Sequence, residues 1–166
     1  MPILDAHTLD FVSHSPTQTQ RFGIRLGELL QPSDLILLSG ELGSGKTTLV
    51  AGIARGWGGI QPVTSPTFTL VNEYSRPGNP MRLIHIDCYR VADAREALDF
   101  GIEEYLDAEA AVLVEWPERL GSIWPPDRLW VTLRHFNETK RSLRLEASGS
   151  RSEELLAQFR RSAFRV

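Results

Sequence analysis

Gly40-Glu41-Leu42-Gly43-Ser44-Gly45-Lys46-Thr47 fits the pattern G-x-x-x-x-G-K-[ST] at every fixed position. Glycines let a backbone curl so that successive N–H groups point inward at phosphate oxygens. A helix beginning at the end of such a loop aims its positive end at the same point. Lys46 adds a point charge for the β- and γ-phosphates, and the Thr47 hydroxyl is a hard oxygen ligand for Mg²⁺. The eight residues therefore predict phosphate binding. Hydrolysis needs more: an acid to anchor the metal and a group to orient water.

Two acids qualify by placement. Asp87 ends the apolar stretch Leu83-Ile84-His85-Ile86, and Glu115 ends Ala111-Val112-Leu113-Val114. An acid just past a buried strand sits at the carboxyl edge of an α/β sheet, where ligands of such sheets bind. Both are expected near the Mg²⁺, Glu115 first. The plain alternative for each is an ion pair with a nearby arginine, Arg90 or Arg119. Ser65-Pro66-Thr67-Phe68-Thr69 clusters hydroxyls on a proline-shaped turn. It reads either as a segment that senses the γ-phosphate or as ordinary β-branched strand residues. Trp116 directly follows Glu115, so it packs in the core, beside the site, or both. His7, His14, His85 and His135 form no i, i+4 pair and have no cysteine partners, so a metal site built from them is not expected. His85 reads as a strand histidine beside Asp87.

The flanking elements must position these groups. Leu35-Ile36-Leu37-Leu38 is wholly apolar between turn residues, as a parallel strand buried on both faces should be. A helix from Lys46 to about Arg55 follows the loop, with Gly56, Gly58 and Gly59 expected to stop it. Thr8 to Val12 predicts a strand. Ser15-Pro16-Thr17-Gln18 predicts a helix start with a Ser N-cap, Pro in the first turn and a capping-box Gln. Phe22, Leu26, Leu29 and Leu30 then mark one buried helical face, and Gln31-Pro32-Ser33 ends it. Thr67 to Tyr74 and Arg82 to Cys88 predict a hairpin around Arg76-Pro77-Gly78-Asn79-Pro80. Helices are expected over about 93–99 and 102–107, broken by Gly101, and a buried strand over Ala111 to Val114. Leu129 to Phe136 and Ser142 to Ala147 predict a second hairpin, and Glu153 to Arg160 a closing helix. Strands mixed with helices, plus two hairpins, argue for an α/β sheet with antiparallel additions.

The 166 residues match one domain spanning 1–166, long enough for a core without disulfides or structural metal. At 42% apolar and 23% charged, the composition excludes wholesale disorder. The longest apolar run, Ala110 to Val114, is far short of a membrane span, so no membrane partner is expected. Asp5 and Asp10 near the start argue against a secretory signal. Cys88 is the single cysteine, which excludes cysteine metal clusters and suits a reducing, cytoplasmic location. Charge is uneven: residues 1–118 hold 8 Lys and Arg against 16 Asp and Glu, while residues 119–166 hold 10 against 5. The arginine-rich end either meets a phosphate-bearing partner or is a solvated surface of local ion pairs.

Four blocks occur in order: GELGSGKTT (Gly40 to Thr48); Ser65-Pro66-Thr67-Phe68 with Leu70 and Tyr74; His85-x-Asp87-x-Tyr89-Arg90; and Val114-Glu115-Trp116-Pro117. Together they closely resemble the TsaE family, formerly YjeE, the bacterial ATPases of tRNA threonylcarbamoyladenosine biosynthesis. The resemblance covers roughly residues 15–145. It implies a P-loop fold with a parallel central sheet, antiparallel flanking strands and helices on both faces. It implies ATP and Mg²⁺, and the partners TsaB and TsaD. Those partners make the modification at position 37 of tRNAs reading codons that begin with A. ATP hydrolysis would reset or sustain that complex, with tRNA reached through it and DNA not involved. By motif, Glu41 to Thr48 line the nucleotide, Lys46 and Thr47 being the phosphate and Mg²⁺ residues. Thr48, Asp87, Glu115 and Trp116 carry over as activity residues. Ser13, Glu118 and Arg141 carry over as nucleotide-lining positions.

Other nucleotide enzymes fit less well. No N-K-x-D or D-x-x-G stands in the chain, which disfavours a GTPase, and no L-S-G-G-Q, which disfavours an ABC-type ATPase. A small-molecule kinase is the main enzymatic rival. It usually carries an arginine-bearing lid, whereas residues 90–107 set Arg90 and Arg95 against six acids. A nucleotide-switched binding module without useful turnover is the rival from another class.

Overall fold

The run Leu35-Ile36-Leu37-Leu38 has no polar position because β3 (Leu35–Ser39) lies mid-sheet with neighbours on both sides. The computed structural model describes residues 3–66, 69–107 and 109–165. Around β3, β6 (Ala110–Glu115) and β7 (Arg128–His135) pair parallel to it, and β5 (Asn79–Asp87) pairs parallel to β6. β4 (Val71–Arg76) adds antiparallel to β5 at one edge. At the other, β8 (Arg141–Ser148), β2 (Thr8–Ser13) and β1 (Ile3–Leu4) add antiparallel in turn. The eight strands run in the order β1-β2-β8-β7-β3-β6-β5-β4. A parallel centre with antiparallel flanks is the expected architecture.

Strand alternation sorts the core into two layers. Ile36, Leu38, Leu83, Leu113 and Val131 face α1 (Pro16–Gly27), α2 (Lys46–Trp57) and α5 (Ser150–Phe164), with Leu26, Val50, Ile53 and Leu155 buried against them. Leu37, Ile84, Ile86 and Val114 face α3 (Ala94–Asp99), α4 (Ile102–Asp107) and the short 3₁₀ turn Pro117–Leu120. Helices thus cover both faces. Among the described residues, no helix is long and apolar enough to cross a membrane.

The start of α1 is as expected, but its end is not. The Ser15 side chain accepts from the Gln18 N–H at 3.1 Å. Gln18 Oε1 reaches back one residue further than a capping box requires, to the His14 N–H at 2.6 Å. The helix ends at Gly27, leaving Leu29 and Leu30 in the turn beyond.

Three expectations are corrected. Gly56 does not stop α2; it lies inside the helix, and Gly58, left-handed at φ 100°, caps it. Gly56 is there for close packing, since a Cβ would collide with the Ile24 carbonyl oxygen of α1. β4 begins at Val71, so the strand expected from Thr67 is not present at Thr69 and Leu70. Leu70 is left-handed at φ 68° and its N–H closes a turn onto the Pro66 carbonyl at 2.7 Å, so Thr69 and Leu70 belong to that turn. Thr67 and Phe68 lie outside the described residues. The closing helix is also longer than expected at both ends, and Asp127 caps its start from a distant loop. Its carboxylate accepts from the N–H groups of Arg151 and Ser152 and from the Ser152 hydroxyl, at 2.9, 2.9 and 2.7 Å.

The arginine-rich end is largely spent inside the fold. Arg151 grips buried Asp34 with two bonds, at 2.8 and 2.9 Å, and the Leu29 carbonyl at 3.0 Å. Arg160 donates to the carbonyls of Asp5 and Thr8, and Arg144 pairs with Asp10 at 3.4 Å.

Candidate functional site

β3 delivers the chain to Gly40 at the sheet's carboxyl edge, and α2 leaves from Lys46. Between them Gly43 and Gly45 take left-handed backbone at φ 76° and 108°, which side chains other than glycine resist. The Ser44 N–H donates to the Glu41 carbonyl at 3.0 Å, tightening the loop. Lys46 is buried. Its ammonium donates to the carbonyls of Gly40 and Glu41, the second at 3.0 Å, and lies 4.3 Å from the centre of the Trp116 ring. Burial lowers its pKa, against the opposing pull of Glu115, Glu118 and Asp87. A desolvated ammonium surrounded by acids is poised to take phosphate oxygens as new partners.

The two strand-end acids arrive from neighbouring strands. Asp87 and Glu115 are register partners, and both are buried. Asp87 Oδ1 accepts from the Tyr89 N–H at 2.8 Å. Glu115 does not meet Arg119, whose guanidinium lies over the Tyr89 ring instead. Its Oε2 sits 2.6 Å from His85 Nε2. Trp116 then takes left-handed backbone at φ 59°, and its ring meets Tyr89 at 5.0 Å between centroids.

Lys46, Thr47, Thr48, Asp87, Glu115 and Trp116 converge on one cleft of about 270 Å³, which Leu42, Gly43, Gly45, Ser65 and Tyr89 complete. Thr47 is exposed there. Its hydroxyl and the two carboxylates are hard oxygen donors, the set Mg²⁺ prefers when phosphates and water fill the remaining positions. Among the described residues, no group of three His, Cys, Asp or Glu forms a closed metal site.

The other sequence candidates are not among the residues that line this cleft. Arg141, the first residue of β8, donates to the carbonyls of Asn137 and Lys140 at 2.9 Å and to that of Gly43 in the loop at 3.4 Å. Ser13 pairs with Arg141 in the strand register, but its buried hydroxyl is spent on Thr19 Oγ1 at 2.6 Å and the Ser15 carbonyl at 3.0 Å. Glu41 and Glu118 line a neighbouring cleft of about 460 Å³ on the far side of Trp116. Ser44 is fully buried beneath the loop. Two participants were given no role at the site from the sequence. Tyr89 and His85 both had a signal, two residues to either side of Asp87 in one block. The block could not show that His85 meets Glu115, which comes from another strand.

A strand–GELGSGKT–helix unit at the carboxyl edge of this sheet, with acids on the adjoining strands, defines a P-loop protein. Comparison with known proteins narrows the class. The sequence description of the family "Threonylcarbamoyl adenosine biosynthesis protein TsaE" matches residues 13–143, and the chain belongs to the TsaE family. It is 34% identical to the tRNA threonylcarbamoyladenosine biosynthesis protein TsaE of Bacillus subtilis over 147 residues, covering 89% of this chain and 90% of that one. It is 33% identical to the protein of the same name from Haemophilus influenzae over 144 residues, covering 84% and 89%. The crystal structure of Bacillus subtilis YdiB superposes with a TM-score of 0.77 over 97% of both chains, at 28% identity.

Proposed function

We propose that this chain binds ATP with Mg²⁺ and hydrolyses it in support of threonylcarbamoyladenosine formation at position 37 of tRNAs reading codons that begin with A. It acts in the cytoplasm with TsaB and TsaD, and tRNA is reached through that complex. The observation that carries the reading is the convergence of Lys46, Thr47, Thr48, Asp87, Glu115 and Trp116 on one cleft.

The loop amides and the start of α2 receive the phosphates. Lys46 exchanges its two carbonyl partners for phosphate oxygens, and Trp116 keeps the ammonium within reach. Thr47, Asp87 and Glu115 would hold the cation. Bound there, Mg²⁺ would supply positive charge to offset the negative charge that builds on the phosphates during transfer. Asp87 and Thr48, which line the same cleft, would orient the attacking water, and Arg141 sits against the loop at Gly43.

Phosphate release, measured with the chain alone and with TsaB and TsaD added, tests the proposal. Weak turnover that the partners raise is expected, and Lys46→Ala should abolish it, since the other lysine, Lys140, does not line the cleft. A K46A protein that turns over at the wild-type rate in the assembled complex would remove the cleft from the reaction.

A further inference from the structure

Asp87 and Glu115 reach the cleft side by side, but different devices hold them. Asp87 is fixed locally, by the N–H of Tyr89 two residues on. Glu115 has a longer side chain and more rotamers to lose. Among the described residues its carboxylate makes one hydrogen bond, at 2.6 Å to Nε2 of His85, a residue of the neighbouring strand. His85 is 0% exposed and Glu115 3%. Where Glu115 is ionised, as a cation ligand must be, its carboxylate only accepts and Nε2 is the donor.

The ring itself is rigidly seated. Alternation along β5 puts His85 on the same face as Leu83 and Asp87. The Tyr74 ring of β4 stacks beside it, 6.5 Å between centroids and 28° between planes. Two packed strands therefore fix the donor, and the donor fixes one carboxylate oxygen. The second oxygen is left for the cleft that Glu115 lines.

We infer that His85 is a positioning residue for Glu115: it holds the carboxylate in the one orientation that presents its free oxygen to the divalent cation of the bound nucleotide. The inference rests on the reading of the cleft as an ATP–Mg²⁺ site. Groups that orient a metal-ligating side chain are typically worth about 10- to 100-fold in metal affinity. His85 touches neither phosphate nor metal, so its loss should leave metal-free nucleotide binding alone.

The experiment uses the full chain and a fluorescent, non-hydrolysable ATP analogue. Affinity is measured in EDTA and then across a Mg²⁺ titration, with the apo melting temperature recorded for each variant. His85→Leu removes the donor and fills the space with carbon. His85→Gln keeps an N–H at the same distance along the side chain. The expected result is a Mg²⁺ midpoint raised about tenfold in H85L, with EDTA affinity within about twofold of wild type and the midpoint largely restored in H85Q. If H85L does not fold, His85→Asn, whose amide ends one bond short of the carboxylate, carries the same expectation. A wild-type midpoint in a folded H85L or H85N protein overturns the inference. So does a parallel loss of EDTA affinity and Mg²⁺ response, which would make His85 a general core residue. If wild-type binding itself ignores Mg²⁺, the reading of the cleft fails instead.

Discussion

Asp87 and Glu115 are register partners on parallel strands β5 and β6, so two buried carboxylates leave the sheet together beside the exposed Thr47. Two like charges in one buried place repel, and the Lys46 ammonium, pulled by both, is the positive charge the chain itself brings beside them. Burying such a pair costs stability that a bound Mg²⁺ would recover.

Glu115→Gln should therefore keep the fold and lose metal response. The substitution removes one negative charge at nearly constant shape. The Mg²⁺ concentration for half-maximal nucleotide binding should rise about tenfold or more, and the apo protein should melt no lower than wild type. Calorimetric titration of Mg²⁺ into the nucleotide complex measures the first, and a thermal melt the second. An unchanged Mg²⁺ midpoint would make Glu115 a structural acid.

Arg141 links the second hairpin to the loop through the Gly43 carbonyl. If it contributes one charge-assisted contact to the nucleotide, Arg141→Ala should weaken ATP affinity about tenfold, the equivalent of about 1.5 kcal/mol. Nonspecific RNA binding should stay nearly unchanged, because Arg144, Arg151 and Arg160 are already engaged within the fold. Equilibrium binding of ATP and of an unrelated RNA, at two salt concentrations, separates the outcomes. Intact ATP affinity with lost RNA binding would move Arg141 to an RNA surface.

Much of this arrangement was legible because its signals are local. The loop glycines, the all-apolar β3 and the acids closing β5 and β6 each show within a few residues. The hidden parts depend on pairing across distance. His85 meets Glu115 only through the register of β5 on β6, Arg151 finds Asp34 from the far end of the chain, and Asp127 caps a helix it does not adjoin. Ser13 was carried over by motif as a nucleotide-lining position, but neither its register with Arg141 nor the engagement of its hydroxyl was legible. Gly56 shows a limit of composition: read as a helix stop, it is a packing residue.

The same packing gives a stability prediction. A Cβ on Gly52 would strike the Gln20 carbonyl oxygen of α1. Helix propensity alone makes Gly52→Ala favourable by about 1 kcal/mol. Overpacking at backbone contact costs about 1–3 kcal/mol. The clash should win, because backbone cannot yield as a side-chain tip can. A lower urea midpoint at unchanged slope is expected, and a higher midpoint would mean that α1 and α2 separate without cost.

Asp127 gives α5 a pH-dependent hold. Burial alone would raise its pKa, but bonds from the Ser152 hydroxyl and the N–H groups of Arg151 and Ser152 pull it below its ordinary value. A carboxyl with a depressed folded-state pKa adds stability that is complete above its ordinary value of about 4. That stability drains as pH falls through the lower folded value, where the protonated group no longer accepts as an anion. Asp127→Ala should cost about 1 kcal/mol at pH 7, the usual worth of a helix cap. Arg151 follows Ser150 in the same first turn, so loosening the cap also loosens its grip on Asp34. Melting curves of wild type and D127A should thus lie apart at neutral pH and converge in acid. A gap that stays constant down to pH 2 would mean that the side chain fills space and that its charge holds nothing.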